Sequence, residues 1–196
     1  MDPTLSRIID RVGRCDWAPR ATGTHFDALV RSIIYQQLSG KAAATIHRRL
    51  ETLTGERAPT PTELLALPDG RLRAAGLSRQ KISYLRDLAA RVEADEVPLS
   101  AIDELHDDAV IAALVGVKGI GRWTAQMFLM FRLGRPDVLP ELDLGIRKAI
   151  RIEYRKRAMP TSVQVQRTGA RWSPYCSVAS WYLWRSLDNG GGQLSD

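Results

Sequence analysis

Apolar residues recur every three or four positions along most of this chain, the repeat that gives a helix one buried face. In "HFDALVRSIIYQQLS" (25–39) they fall at Phe26, Leu29, Val30, Ile33, Ile34 and Leu38. "KAAATIHRRLETLT" follows Gly40 as a second helix, and Gly55 closes it. "TPTELLAL" opens on Thr60 as N-cap, with Pro61 at the first helical position and Glu63 completing a capping box. Ser78 caps "RQKISYLRDLAARVEA", whose apolar face is Ile82, Leu85, Leu88, Ala89 and Val92. The same spacing predicts helices over "DDAVIAALV", "RWTAQMFLMFRL", "DLGIRKAIRIEYRK" and "SVASWYLWRSL". No segment shows the strict alternation of a strand, so the expected fold is all-α.

At 196 residues the chain suffices for one ordinary domain or two small lobes sharing a core. We expect one domain over 1–196 made of two helical lobes, with a seam near "VPLSAID" at 97–103. The polar tail "DNGGGQLSD" is the one low-complexity tract, and no internal repeat is present.

One junction carries more glycine than a turn between helices needs. "LVGVKGIGRWTAQMFLMF" (114–131) places Gly116, Gly119 and Gly121, with Lys118 and Arg122, between two apolar helical runs. This predicts a hairpin over 114–125 whose glycines let backbone N–H groups face outward at a helix N-terminus. The first amides of a helix lack internal acceptors and the dipole favours negative charge there, so phosphate is the natural guest. The alternative is a tight turn whose glycines serve packing alone.

Charge changes the picture in the same place. Residues 118–157 hold ten basic side chains against four acidic, whereas residues 1–117 hold 15 against 16. The whole formal excess of +6 therefore lies in and just after the hairpin, as in a polyanion binder, although a solvated helix face would read alike. Hydrophobic content of 44% and charged content of 26% are ordinary for a globular protein, and no run reaches the ~18 apolar residues of a membrane span. "MDPTLSRIIDRVGR" lacks the apolar core of a secretory signal. Two cysteines, Cys15 and Cys176, are too few for a disulfide framework, a zinc ribbon or a four-cysteine iron–sulfur cluster. His25, His47 and His106 are scattered singly, give no zinc spacing, and read as surface or capping residues. A reducing cytoplasm is the expected compartment.

"LVGVKGIGRWTA" resembles the helix–hairpin–helix of the DNA glycosylase superfamily, and "DVLPELDLGIRKA" resembles the Pro-rich loop and aspartate that follow it there. "FDALVRSIIYQQLSGKAAATI" and "WSPYCSVASWYLWR" are similar to two further helices of the family, in the same order, so the resemblance spans about residues 20–187. The branch it resembles is the 3-methyladenine DNA glycosylase II type, in a compact bacterial form without an extra N-terminal sheet domain. Members that also cut the backbone carry a lysine where this chain has Trp123, and Trp123 forms no Schiff base. Cluster-bearing relatives need four C-terminal cysteines that are absent here. Cys176 stands where an arginine is usual.

The resemblance implies a DNA- and base-binding cleft between the two lobes and assigns roles residue by residue. Asp143 becomes the catalytic carboxylate, although in isolation it reads as an N-cap; Glu141 is offset from the family position. A carboxylate near the anomeric carbon suits the oxocarbenium-like sugar of glycosidic cleavage. Trp123, Tyr175, Trp181 and Tyr35 become rings around a flipped base, with Trp181 as core of the last helix the equal alternative and Trp184 expected in that core beside Tyr182. Such rings attract the cationic charge of an alkylated purine, and that base leaves neutral without a general acid. Gln37 or Leu38 becomes the side chain that plugs the emptied duplex, Leu38 as plain core being the alternative. Gly119, Gly121, Lys118, Arg122 and Thr124 become the phosphate grip. Backbone carbonyls of Val115, Val117 and Ile120 become the seat of a monovalent cation, Na+ or K+, that bridges to phosphate, with no other cofactor.

The function implied is excision of alkylated bases from double-stranded DNA by a monomeric enzyme that leaves an abasic site, in the cytoplasm and at the nucleoid. Two alternatives remain at this stage. A non-catalytic hairpin module would grip DNA equally well but has no use for a carboxylate beside phosphates. A glycosylase for uracil, mismatched or oxidised bases would share the same framework.

Overall fold

The structure, a computed structural model, describes residues 2–19 and 22–188. The described residues are helical with no strand. The end of the polar tail, 189–196, lies outside them. In chain order the α-helices are α1 (Pro3–Val12), α2 (His25–Tyr35), α3 (Gly40–Thr52), α4 (Pro61–Ala66), α5 (Asp69–Ala74), α6 (Arg79–Glu93), α7 (Asp107–Val115), α8 (Arg122–Phe131), α9 (Leu144–Glu153), α10 (Ser162–Gly169) and α11 (Cys176–Asp188). Short 3₁₀ turns at Ile102–Glu104 and Ala170–Trp172 complete them.

The local chemistry of the helix starts is as the sequence predicts. Thr60 and Glu63 form the capping box of α4, with Pro61 in its first turn. Ser78 accepts from the Lys81 amide at 3.1 Å to start α6. Such caps contribute about 1 kcal/mol each by satisfying amides the helix leaves over. Three helices were not expected from periodicity. α5 spans six residues, too few to show a repeat. α10, "SVQVQRTG", buries only Val165 and Gly169. α1 hides its signal among charges and buries a single side chain, Ile8.

The chain divides into two compact units, Ala21–Phe128 and Met1–Arg20 with Leu129–Asp196. The seam expected at 97–103 instead falls inside the first of these, because Val97 and Ile102 are fully buried there. Proline and serine in that segment mark a turn, and its apolar residues are core.

In the 21–128 unit, α6 packs on α2, α4 and α5, and α2 packs on α3. Leu29, Ile33, Ile34, Leu50, Leu64, Leu72, Leu85 and Leu88 are fully buried. His47 is buried too, paired with Asp27 at 3.1 Å and Glu51 at 3.8 Å, which corrects its reading as a surface residue. His25 bonds Asp103 at 2.9 Å, and His106 occupies the N-cap position of α7 without a side-chain cap bond.

In the other unit, α11 packs against α9 and α1 around Ile8, Ile146, Ile150, Val165, Trp172, Trp181 and Leu183. Asp2 ties its two chain segments together. It caps α1 through the Thr4 and Leu5 amides and accepts from the Tyr154 hydroxyl at 2.6 Å and the Trp172 indole at 3.0 Å. Burial alone would raise this carboxyl, but those donors hold it below the ordinary carboxylate range.

Candidate functional site

Asp143 occupies the N-cap of α9, as its isolated sequence context predicts, but it is more than a cap. Its Oδ1 accepts from the Ile146 amide at 2.7 Å and from the Trp184 indole N–H at 2.9 Å. Trp184 in turn lies against Phe131, ring centroids 5.9 Å apart. Two donors from different elements therefore fix the orientation of one carboxylate. Gly145 makes the arrangement fit: a Cβ there would sit 2.9 Å from the Trp184 ring and 3.0 Å from Asp143 Oδ1. Glycine early in a helix costs up to about 1 kcal/mol relative to alanine, so its presence here signals a close approach. Leu142 and Leu144, 52% and 66% exposed, give this carboxylate an apolar border on either side in sequence.

Trp184, expected as plain core, is thus the residue the sequence reading missed. Trp181 moves the other way. It is buried in the core, set edge-on to Tyr182 at 4.9 Å, with the Arg185 guanidinium 5.3 Å over its ring. A ring so covered offers a base no face, so its expected pocket role is corrected to packing. Tyr175, just before α11, is 62% exposed and remains available. Glu141, the rival carboxylate, is buried.

Cys176, which departs from the family pattern, is built into the core. Its thiol is buried and donates weakly to the Gly169 carbonyl at 3.6 Å, and burial with the nearby Asp137 pushes it up to about 12. It is a small core residue at the first turn of α11. Asp137 accepts from the Ser173 hydroxyl at 2.6 Å and the Cys176 amide at 3.1 Å, and Ser177 bonds Arg135 O and Val138 N. These bonds knit "RPDV" to the start of α11.

The hairpin belongs to the 21–128 unit. α7 ends at Val115 and α8 begins at Arg122. Several hairpin amides are used internally: Val117 to Leu114 O, Ile120 to Val117 O, and Lys118 to Asp87 Oδ2 at 2.9 Å. Among the described residues none supplies an acceptor for the Gly119 or Gly121 amide, and the first bond of α8 runs from Ala125 N to Gly121 O. The amides preceding that bond form the helix N-terminus at which an anion would be held.

The two glycines have different reasons. Gly119 has φ +80, and a Cβ there would sit 2.2 Å from the Tyr84 ring, so internal packing demands it. Around Gly121 there is open space, as expected where an outside group approaches the backbone. Lys118 keeps its side chain exposed but has Asp87 at 3.6 Å. Burial would raise the Asp87 carboxyl, yet the Lys118 amide and Arg91 hold it below its ordinary value. Thr124, the other residue expected in the grip, lies in the first turn of α8 and is only 6% exposed, so its side chain is mostly interior. Arg122 is exposed, and Trp123 beside it shows 44% of its surface.

The plug segment is a distinct turn after α2. Gln37 has φ +58, a left-handed conformation that a non-glycine residue seldom adopts, and its side chain is exposed. Leu38 is 39% exposed, which removes its reading as plain core. Tyr35 is half-buried with the Arg31 guanidinium 4.0 Å over its ring, so one of its faces is already occupied.

The ten-cation stretch is shared unevenly. Lys118 and Arg122 lie in the hairpin unit, and the rest lie in the unit of Asp143. There Lys156 and Arg157 join Arg167 and Arg171 around a groove of about 400 Å³. Among the described residues no group of three or more His, Cys, Asp or Glu gathers as a metal-binding cluster, and no helix is long and apolar enough to cross a membrane.

Comparison with known proteins bears on the family and the fold. Residues 30–174 match the family model described as HhH-GPD superfamily base excision DNA repair protein. DNA-3-methyladenine glycosylase 1 of Schizosaccharomyces pombe is 34% identical over 191 residues, covering 95% of this chain and 83% of the relative. The putative DNA-3-methyladenine glycosylase YfjP of Bacillus subtilis is 31% identical, covering 83% of this chain and 59% of its own. A Bacillus halodurans DNA-3-methyladenine glycosidase crystal structure superposes with a TM-score of 0.86 at 36% identity, covering 94% of this chain and 84% of that one. The S. pombe glycosylase in complex with abasic DNA superposes with a TM-score of 0.81 at 32% identity, covering 96% and 93%.

Proposed function

The chain belongs to the HhH-GPD superfamily of base excision DNA repair proteins, and we propose that it excises alkylated purines from duplex DNA as a monofunctional glycosylase. The observation that carries the reading is Asp143, a carboxylate oriented by Trp184 and α9 with space reserved by Gly145. A module that only grips DNA has no need of such a site.

The chemistry follows from charge. A 3- or 7-alkylated purine is cationic, and breaking its glycosidic bond returns the bonding pair to the base, which leaves neutral. The sugar acquires the positive charge, which the Asp143 carboxylate offsets while water adds at the anomeric carbon and releases a proton to solvent. Each unit offers an exposed ring, Tyr175 in that of Asp143 and Trp123 in that of the hairpin, as a candidate face for a cationic base, each worth about 0.5–2 kcal/mol. The Gly119 and Gly121 amides, Lys118 and Arg122 hold phosphate, and Gln37 or Leu38 fills the gap in the stack. The carbonyls of Val115, Val117 and Ile120 would hold a monovalent cation that neutralises phosphate charge. Val115 ends α7, where a helix leaves its last carbonyls without intrahelical donors, and the Val117 carbonyl keeps a second lone pair beside its bond from Ile120. A monomer acting at the nucleoid completes the reading.

The test is incubation with duplexes that each carry one 7-methylguanine, 3-methyladenine, uracil or 8-oxoguanine. We expect abasic sites from the alkylated duplexes, revealed as strand breaks only after alkali. Faster release of uracil or 8-oxoguanine would select the alternative glycosylase reading, and breaks before alkali would contradict monofunctionality.

A further inference from the structure

One helix organises both candidate DNA-facing loops of the hairpin unit. Lys81, Tyr84, Asp87 and Arg91 follow one another on α6 at intervals of three, three and four, which places them on one side of the helix. Each meets a loop. The Lys81 ammonium donates to the Ile34 carbonyl and, at 2.8 Å, to the Gln36 carbonyl, closing the C-terminus of α2. Tyr84 fills the space that a side chain at position 119 would need. Asp87 accepts the Lys118 amide and is itself held by Arg91 Nε at 3.0 Å. The two loops are then joined directly, Gln36 Nε2 donating to the Gly119 carbonyl at 2.8 Å.

Glycine or asparagine is the least strained choice at position 37, where φ is positive as it also is at Glu56, Asp95 and Arg155. This chain keeps the long, exposed side chain of Gln37 there, at a conformational cost of order 1 kcal/mol. The ammonium that pins the preceding carbonyls is half-buried, and burial lowers its proton affinity, so it is held in place at some cost as well.

We propose that Lys81 is a positioning residue that sets the Gln37–Leu38 turn, and that the Gln36–Gly119 bond couples this turn to the phosphate-gripping hairpin. The plug then arrives in the duplex in fixed register with the phosphate already held. The inference rests on the glycosylase reading above.

Lys81→Met keeps the apolar stem and removes both donated bonds. The experiment pairs two measurements: base flipping, read from 2-aminopurine placed beside 7-methylguanine in a duplex, and binding of an undamaged duplex as a function of salt. We expect flipping to slow roughly tenfold or more, the size of a lost charge-assisted hydrogen bond. Affinity for undamaged duplex and its salt slope stay within twofold of wild type, and Lys81→Arg recovers most of the flipping. Gln36→Leu shows the same selectivity with a smaller loss, and carries the test alone if Lys81→Met does not fold. Flipping at the wild-type rate, or loss of flipping and undamaged-duplex binding in equal proportion, would overturn the proposal. Wild-type protein that neither perturbs the reporter nor releases alkylated base would instead remove the glycosylase reading itself.

Discussion

The two units hold their functional groups by different means. In the unit of Asp143 the proposed chemistry falls to one side chain, and other residues fix it: Trp184 by a hydrogen bond across 41 positions and Gly145 by leaving room. In the hairpin unit the proposed grip falls to the backbone, which α6 fixes through Lys81, Tyr84 and Asp87. A reaction needs one charge at one atom, which a single oriented carboxylate supplies. A phosphate backbone that must be held whatever its sequence is better met by main-chain amides, which are the same at every position.

Breaking the chemical side of this comparison should have the largest effect. Asp143→Asn keeps the cap acceptor and removes the charge, and we expect excision to fall by about 10²–10³, as when one preorganised electrostatic group is lost. Single-turnover release of 7-methylguanine measures it.

The hairpin glycines sharpen the other side. Gly119→Ala meets both a positive φ and the Tyr84 ring, and should cost about 1–3 kcal/mol in thermal or urea unfolding. Gly121→Ala meets open space and should leave stability within about 0.5 kcal/mol while weakening duplex binding. Equal stability losses at the two positions would erase the distinction between packing and grip.

How much of this was legible depends on range. Thr60, Ser78 and Asp143 announce their caps because capping needs only the next three residues. The buried face of α2 shows in its spacing for the same reason. Trp184 could not be read this way, since its use depends on a contact far away in sequence. Gly145, an unfavourable residue in a helix start, was the signal that something approached closely. Gly119 misled in the opposite sense: its need for a bare backbone is real, but Tyr84, 35 positions earlier, imposes it. Trp181 and Trp184 stand three apart on α11, and only the packing decides which of them reaches Asp143.

Trp184→Phe keeps most of the packing and loses the donor. Excision should fall roughly tenfold, the worth of a hydrogen bond to a charged group, with duplex affinity unchanged. A matching loss of affinity, measured by anisotropy, would mean that Trp184 supports the fold rather than the carboxylate.

The smallest effect concerns selectivity. Trp123→Ala should cost cationic lesions about two- to thirtyfold more than any neutral base the enzyme releases, and Trp123→Phe less, because a ring face survives. Equal losses across charged and neutral substrates would reduce Trp123 to a wall of the site.

The division of labour is tested most directly by the single-turnover excision rate of 7-methylguanine against enzyme concentration, for Asp143→Asn and Gly121→Arg side by side. The account predicts that Asp143→Asn lowers the plateau while half-saturating at or below the wild-type concentration, since removing a carboxylate near phosphates does not weaken binding. It predicts that Gly121→Arg reaches the wild-type plateau, but only at higher enzyme concentration. An Asp143→Asn plateau equal to wild type, or a Gly121→Arg plateau that stays depressed at saturation, would contradict it.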